Sequence, residues 1–176
     1  MSDADLLSLY STQILSLASN IGHQGRLITP DGVGKARSMT CGSQISVELE
    51  LDAGKISCFA QEVQACALGQ AGAGVLGEVV LGSTKADITK ARSELHAMLT
   101  QNGPVPSAPF SGFEALLPVK DFANRHASVL LALDATLAAI DDATEKPTHK
   151  KTTAKAVVKY ERAGVSFKAA QVRFSK

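Results

Sequence analysis

The stretch from Gln44 to Phe59 leaves this chain few ways to fold. Ile45, Val47, Leu49 and Leu51 alternate with Ser46, Glu48 and Glu50, which gives one apolar and one wet face. Asp52-Ala53-Gly54 follows as a short turn with a glycine able to take positive φ. Lys55 to Val63 then reads as the returning strand of a hairpin.

Helical patterns flank this hairpin. Asp3 to Ile21 carries Leu6, Leu7, Tyr10, Ile14, Leu15 and Leu17 near helical spacing, with Gly22 as a stop. The following "GHQGRLITPDGVGKARS" reads as an irregular loop, and "ARSMT" as a candidate third strand. After the hairpin, helices are expected over Ala65–Leu81, Ser83–Gln101 and Phe122–Ile140, with one turn at Phe113–Val119. Strands followed by a run of helices predict an α+β domain: a small antiparallel three-stranded sheet with helices packed on one face.

Charge divides the chain. Thr144 to Lys176 holds nine Lys/Arg against two Glu, a local +7, which leaves −6 for the rest. The reading is a folded domain over 1–142 and a basic, solvated tail over 143–176. The tail has few aromatic residues (Tyr160, Phe167, Phe174), so nucleic-acid binding is not expected. "ASVLLALDATLAAI" is too short for a membrane span and is broken by Asp134. The acidic start, with no Arg before Arg26, lacks the features of a secretory or transit segment, and the expected location is the cytoplasm. There the three cysteines would act as thiols.

Gly72-x-Gly74-x-x-Gly77 has the spacing of a dinucleotide-binding loop. That motif needs a parallel βαβ unit, whereas the strand before it here belongs to a hairpin. The better reading is a helix of small residues lying close to a neighbour, although glycine disfavours a helix by about 0.5–1 kcal/mol each. Cys66 falls at the start of that helix, where backbone N–H groups favour a thiolate. In a three-stranded meander the turn holding Cys41 reaches the same sheet end, although 25 residues separate the two thiols. Cys58 lies mid-strand and reads as a small buried hydrophobe.

Three stretches together resemble the NifU-like, or IscU-type, family of iron–sulfur cluster assembly scaffolds. They are "TCGSQISVELELDAGKI", "VQACALGQAGAGVLGEVVLG" and "LLPVKDFANRHASVLLALDATLAAIDD", and the match spans roughly residues 5 to 142. The resemblance implies a site of three thiolates with an Asp or His neighbour. In this chain Ser43 stands where the family has Asp, and Ala127 where it has the third Cys. The implied ligands are therefore Cys41, Cys66 and His126, with Ser43 and Arg125 shaping the site.

The implied cargo is a labile, oxygen-sensitive iron–sulfur cluster of the [2Fe–2S] type. Such a cluster takes four ligands, and a second copy of the chain in a homodimer, a small thiol or a partner would complete the set. Sulfur would come from a cysteine desulfurase, and acceptor apo-proteins would receive the cluster. Zinc suits the same donors. Two other classes stay open: a degenerate scaffold acting as a zinc-, iron- or partner-binding module, and an enzyme using Cys66 as nucleophile with His126 as base. The enzyme reading lacks a third group to orient the imidazole, and the expectation is a non-enzymatic protein.

Overall fold

The computed structural model describes residues 11–145. Along them run α1 (Thr12–Ser19), β1 (Gly32–Arg37), β2 (Gln44–Asp52), β3 (Lys55–Gln64), α2 (Ala67–Val79) and α3 (Lys85–Thr100). A 3-10 stretch (Phe110–Asp121) and the long helix α4 (Ala123–Glu145) complete the order. The first half of the helix expected from Asp3 and the basic tail from Lys146 onwards lie outside the described residues.

The hairpin forms as its alternation predicts. Ile45, Val47 and Leu49 are fully buried, opposite Val63, Gln61 and Phe59 of β3. Ala53 and Gly54, at φ 49° and 78°, make the two-residue turn that suits the twist of the strands. The sheet is an antiparallel meander in the order β1-β2-β3, with the helices packed against it. The architecture is α+β.

β1 departs from expectation. It occupies Gly32–Arg37, inside the segment read as an irregular loop, instead of the Ala36–Thr40 stretch. The reason is its partner. Helix α4 lies directly on this strand, so a Cβ on Gly32 would sit 2.0 Å from the Ala139 carbonyl oxygen, and one on Gly34 2.1 Å from that of Ala135. A strand pressed so closely against a helix has no room for the apolar side chains by which strands are recognised. Ala135 and Ala139, both fully buried, keep the helix side equally thin.

Helix α2 repeats the device with glycine on the helix. A Cβ on Gly72 would lie 2.8 Å from the Val129 oxygen of α4, and one on Gly74 2.4 Å from the Leu17 oxygen of α1. The glycine motif is therefore a packing surface on both sides, and no part of it lines a phosphate loop. Thr84 caps α3 through a reciprocal pair with Asp87. Helix α4 continues to Glu145 with Ala143 buried, three residues beyond the boundary drawn from composition.

Candidate functional site

The meander brings Cys41 and Cys66 to one end of the sheet, as its topology predicts. β1 runs into the turn 38–43, where Ser38 N–H donates to the Ser43 carbonyl at 2.8 Å and Gly42, at φ 71°, accepts the left-handed conformation. β3 returns to that end and delivers Cys66 as the residue preceding α2, with φ −64° and ψ 165°. Ser43 ties the two together. Its Oγ lies 3.0 Å from Cys41 Sγ and accepts the Cys66 N–H at 3.1 Å. Its position is fixed because only 4% of the residue is exposed.

A second hydroxyl closes on the same sulfur from α4. Ser128 Oγ, fully buried, is 2.9 Å from Cys41 Sγ. Burial alone would raise the Cys41 pKa. The hydroxyls outweigh it: hydrogen bonds from Ser128, then Ser38 and Ser43, with the Ser43 backbone, bring it from 9.0 down to about 6. Ser38 contributes although its buried hydroxyl reaches no partner at regular hydrogen-bond distance. At neutral pH Cys41 is mostly thiolate, the form that binds metal.

His126 stands on the first turns of α4, half-buried. Its Nε2 lies 3.1 Å from the Val119 oxygen and 3.0 Å from the Lys120 oxygen. Carbonyl oxygens only accept, so Nε2 carries a proton, and Nδ1 is the ring nitrogen left for a metal. That engagement also leaves Nε2 unable to act as base towards Cys66. Arg125, half-buried, and Ala127, exposed, flank this imidazole along the helix. Among the described residues, no three His, Cys, Asp or Glu side chains come close enough together to hold a metal ion. Cys58 is half-buried on the outer face of β3, opposite Glu50 and away from the sheet end that bears Cys41.

Ser128 and Ser38 were not singled out in the sequence. The signal for Ser128 was available: it is the one polar residue in "SVLLAL", at the head of the buried face of α4. Ser38 carried no comparable mark.

Among the described residues no helix is long and apolar enough to cross a membrane. A family model described as the NifU-like N-terminal domain matches residues 9–150. Among solved structures, the N-terminal part of a nitrogen-fixing NifU-like protein from Brucella abortus is 38% identical, over 81% of this chain and 99% of its own, with a TM-score of 0.78. A protein from the thermophile Fervidobacterium islandicum AW-1, described as an iron–sulfur cluster assembly scaffold for the SUF system, shares the fold. It is 21% identical over 75% of this chain and 96% of its own, with a TM-score of 0.66. A hypothetical protein of known crystal structure shares it too, at 24% identity and a TM-score of 0.67 over 76% of this chain and 97% of its own. Comparison with curated proteins gives no match.

Proposed function

The chain belongs to the family of NifU-like N-terminal domains, and we propose that it is a scaffold on which an iron–sulfur cluster is assembled and from which it is passed on. The observation that carries this reading is the Ser43 hydroxyl, within hydrogen-bond distance of both the Cys41 sulfur and the Cys66 amide. It joins two cysteines from distant parts of the sequence at one end of the sheet, through the sulfur of the first and the backbone amide of the second.

The chemistry follows from the donors. Cys41, as a thiolate near neutral pH, accepts iron without first having to lose a proton. Cys66 would supply the second thiolate, and His126, which does not stand together with both cysteines in this structure, would have to bring its Nδ1 in as a third donor when iron binds. The hydroxyls of Ser43 and Ser128 orient the Cys41 sulfur, and Arg125 shapes the rim. Since [2Fe–2S] clusters take four ligands, this set is incomplete. Incompleteness suits cargo that must leave, because each missing protein ligand is one fewer bond to break on transfer. It also makes the cluster labile and oxygen-sensitive. In this reading a cysteine desulfurase supplies sulfide, acceptor apo-proteins take the product, and the chain itself catalyses no reaction. The setting is the cytoplasm.

One observation favours a second reading. The lack of a three-residue metal cluster among the described residues fits a member of the family that binds a protein partner without building clusters, and it counts equally against a preformed three-ligand zinc or iron site. Anaerobic reconstitution with iron and sulfide, followed by metal analysis and visible absorption, separates the two. Charge-transfer bands and bound sulfide that vanish in Cys41→Ala and Cys66→Ala support the scaffold. A colourless protein holding zinc or nothing under those conditions overturns it.

A further inference from the structure

The two edges of the sheet are treated differently. The β3 edge is covered: Gln24 bridges to Gln61, Thr84 bridges to Lys55, and Gly25 N–H donates to the Gln61 carbonyl at 3.1 Å. Among the described residues the β1 edge is covered at one end only. In the β1–β2 register Ser38 N–H points to the Ser43 carbonyl, so Ala36, Gly34 and Gly32 also turn their N–H groups towards β2. Val33, Lys35 and Arg37 turn theirs outward. Val33 N–H does meet a partner there, donating to the Asp142 carboxylate at 2.8 Å. The amides of Lys35 and Arg37 have no partner among the described residues.

The side chains along this edge are also unmatched. Arg26, Lys85, Lys90 and Arg92 each pair with a carboxylate. Lys35 and Arg37 form no ion pair among the described residues. Lys35 feels Glu62 at longer range, but Arg26 already holds that carboxylate at 2.7 Å. Val33 precedes the two cations at 36% exposure and Met39 follows them at 89%. The edge thus presents apolar, basic, basic and apolar side chains in alternation and leads directly into the Cys41 turn.

We infer that the Lys35–Arg37 edge of β1 is a docking site for an extended, acidic segment of a partner protein, which adds as a further strand and so brings that partner to Cys41. Main-chain hydrogen bonds to the amides of Lys35 and Arg37 supply affinity, and acidic side chains opposite the two cations fix register. A second copy of this chain does not fit, because it would set Lys35 and Arg37 against their own equivalents. The inference rests on the scaffold reading only for the purpose of the visit, and it is tested without a cluster.

The probe is a short synthetic peptide alternating Glu with Val and carrying a fluorophore, titrated into the metal-free full chain. We expect saturable binding that falls as salt rises, and a double Lys35→Glu, Arg37→Glu variant that binds about tenfold more weakly. Lys35→Pro removes one outward N–H and leaves the ladder to β2 intact, so it should weaken binding as much. In the unsubstituted protein the peptide should slow hydrogen exchange at the amides of Lys35 and Arg37, a readout that stands even if Lys35→Pro fails to fold. Absence of saturable binding overturns the inference. So does binding that ignores Lys35→Pro, which removes both the outward amide and the cation, and so does binding that leaves both amides unprotected, since side-chain attraction alone would explain that result. Concentration-dependent dimerisation abolished by Lys35→Pro would give the edge to a second copy instead, and would also overturn it. Cluster loading, measured separately, succeeds or fails independently of all these outcomes.

Discussion

Under α4, Gly32 and Gly34 leave little but backbone and alanine methyls between strand and helix. At the head of the same helix, Ser128 reaches down to a sulfur on the turn that follows the same strand. Both regions use small residues, for opposite ends. In the first, smallness excludes every alternative, because an added carbon would meet main-chain atoms that cannot turn aside. In the second, the small residues are buried hydroxyls that hydrogen-bond a half-buried thiol. The packed region fixes where the helix lies, and the serine-lined region sets the chemistry of the Cys41 thiol.

The sharpest way to break this comparison is Gly34→Val. Its Cβ would stand 2.1 Å from the Ala135 oxygen, and overpacking against backbone should cost about 3 kcal/mol or more. Urea denaturation checks it, and a loss below about 0.5 kcal/mol, the size of an ordinary surface change, would mean that α4 can lift off the strand. In the serine-lined region the effect moves from stability to cargo. Cys41→Ala and Cys66→Ala should each abolish the charge-transfer absorption of reconstituted protein while the unfolding midpoint shifts by about 1 kcal/mol or less. Cys58→Ala should leave absorption unchanged. If Cys58 proved necessary instead, the assignment of the site to this sheet end would fail.

Restoring the family's ligands is the next test. Ala127→Cys places a thiol on the exposed residue beside Ser128, and Ser43→Asp a carboxylate between the Cys41 sulfur and the Cys66 amide. The cysteine variant should hold its cluster against a chelator about tenfold longer than the unsubstituted protein, and the aspartate variant by a smaller factor. Unchanged release in both would mean that the cluster is held elsewhere.

The smallest expected effect is on protonation. Alkylation of Cys41 by iodoacetamide should follow thiolate formation with a midpoint near pH 6, and Ser128→Ala should move it towards 9. The folded chain gives up this proton more readily than the unfolded one. The resulting contribution to stability is therefore full above pH 9, and it is lost as pH falls to about 6. A midpoint that ignores Ser128→Ala would remove that hydroxyl from the account.

What the sequence disclosed follows the same division. The hairpin was legible because half-buried strands must alternate, and the meeting of Cys41 with Cys66 followed from meander topology before any contact was visible. The strand β1 was not legible, since Gly32-x-Gly34 carries no apolar signal and reads as loop chemistry unless the helix above it is known. The resemblance to a family pointed to the sheet end where Cys41 and Cys66 meet but directed attention to what Ser43 and Ala127 lack. It passed over Ser128, one residue further on, whose role depends on the angle at which α4 meets the turn. His126 could be placed on a helix from sequence, but the engagement of its Nε2 with the Val119 and Lys120 oxygens depends on the fold of the 3-10 stretch.

The direct seating of α4 on β1 also has a mechanical side. Side chains between two elements act as a cushion, and rotamer changes let one shift while the other stays. Here the cushion is missing along the glycine stretch, and the far end is clamped by the Asp142 carboxylate on the Val33 amide. Helix and strand therefore behave as one beam. Because Ser128 belongs to the helix and Cys41 to the turn that follows the strand, seating the two elements directly on each other also fixes the distance across the Cys41–Ser128 contact.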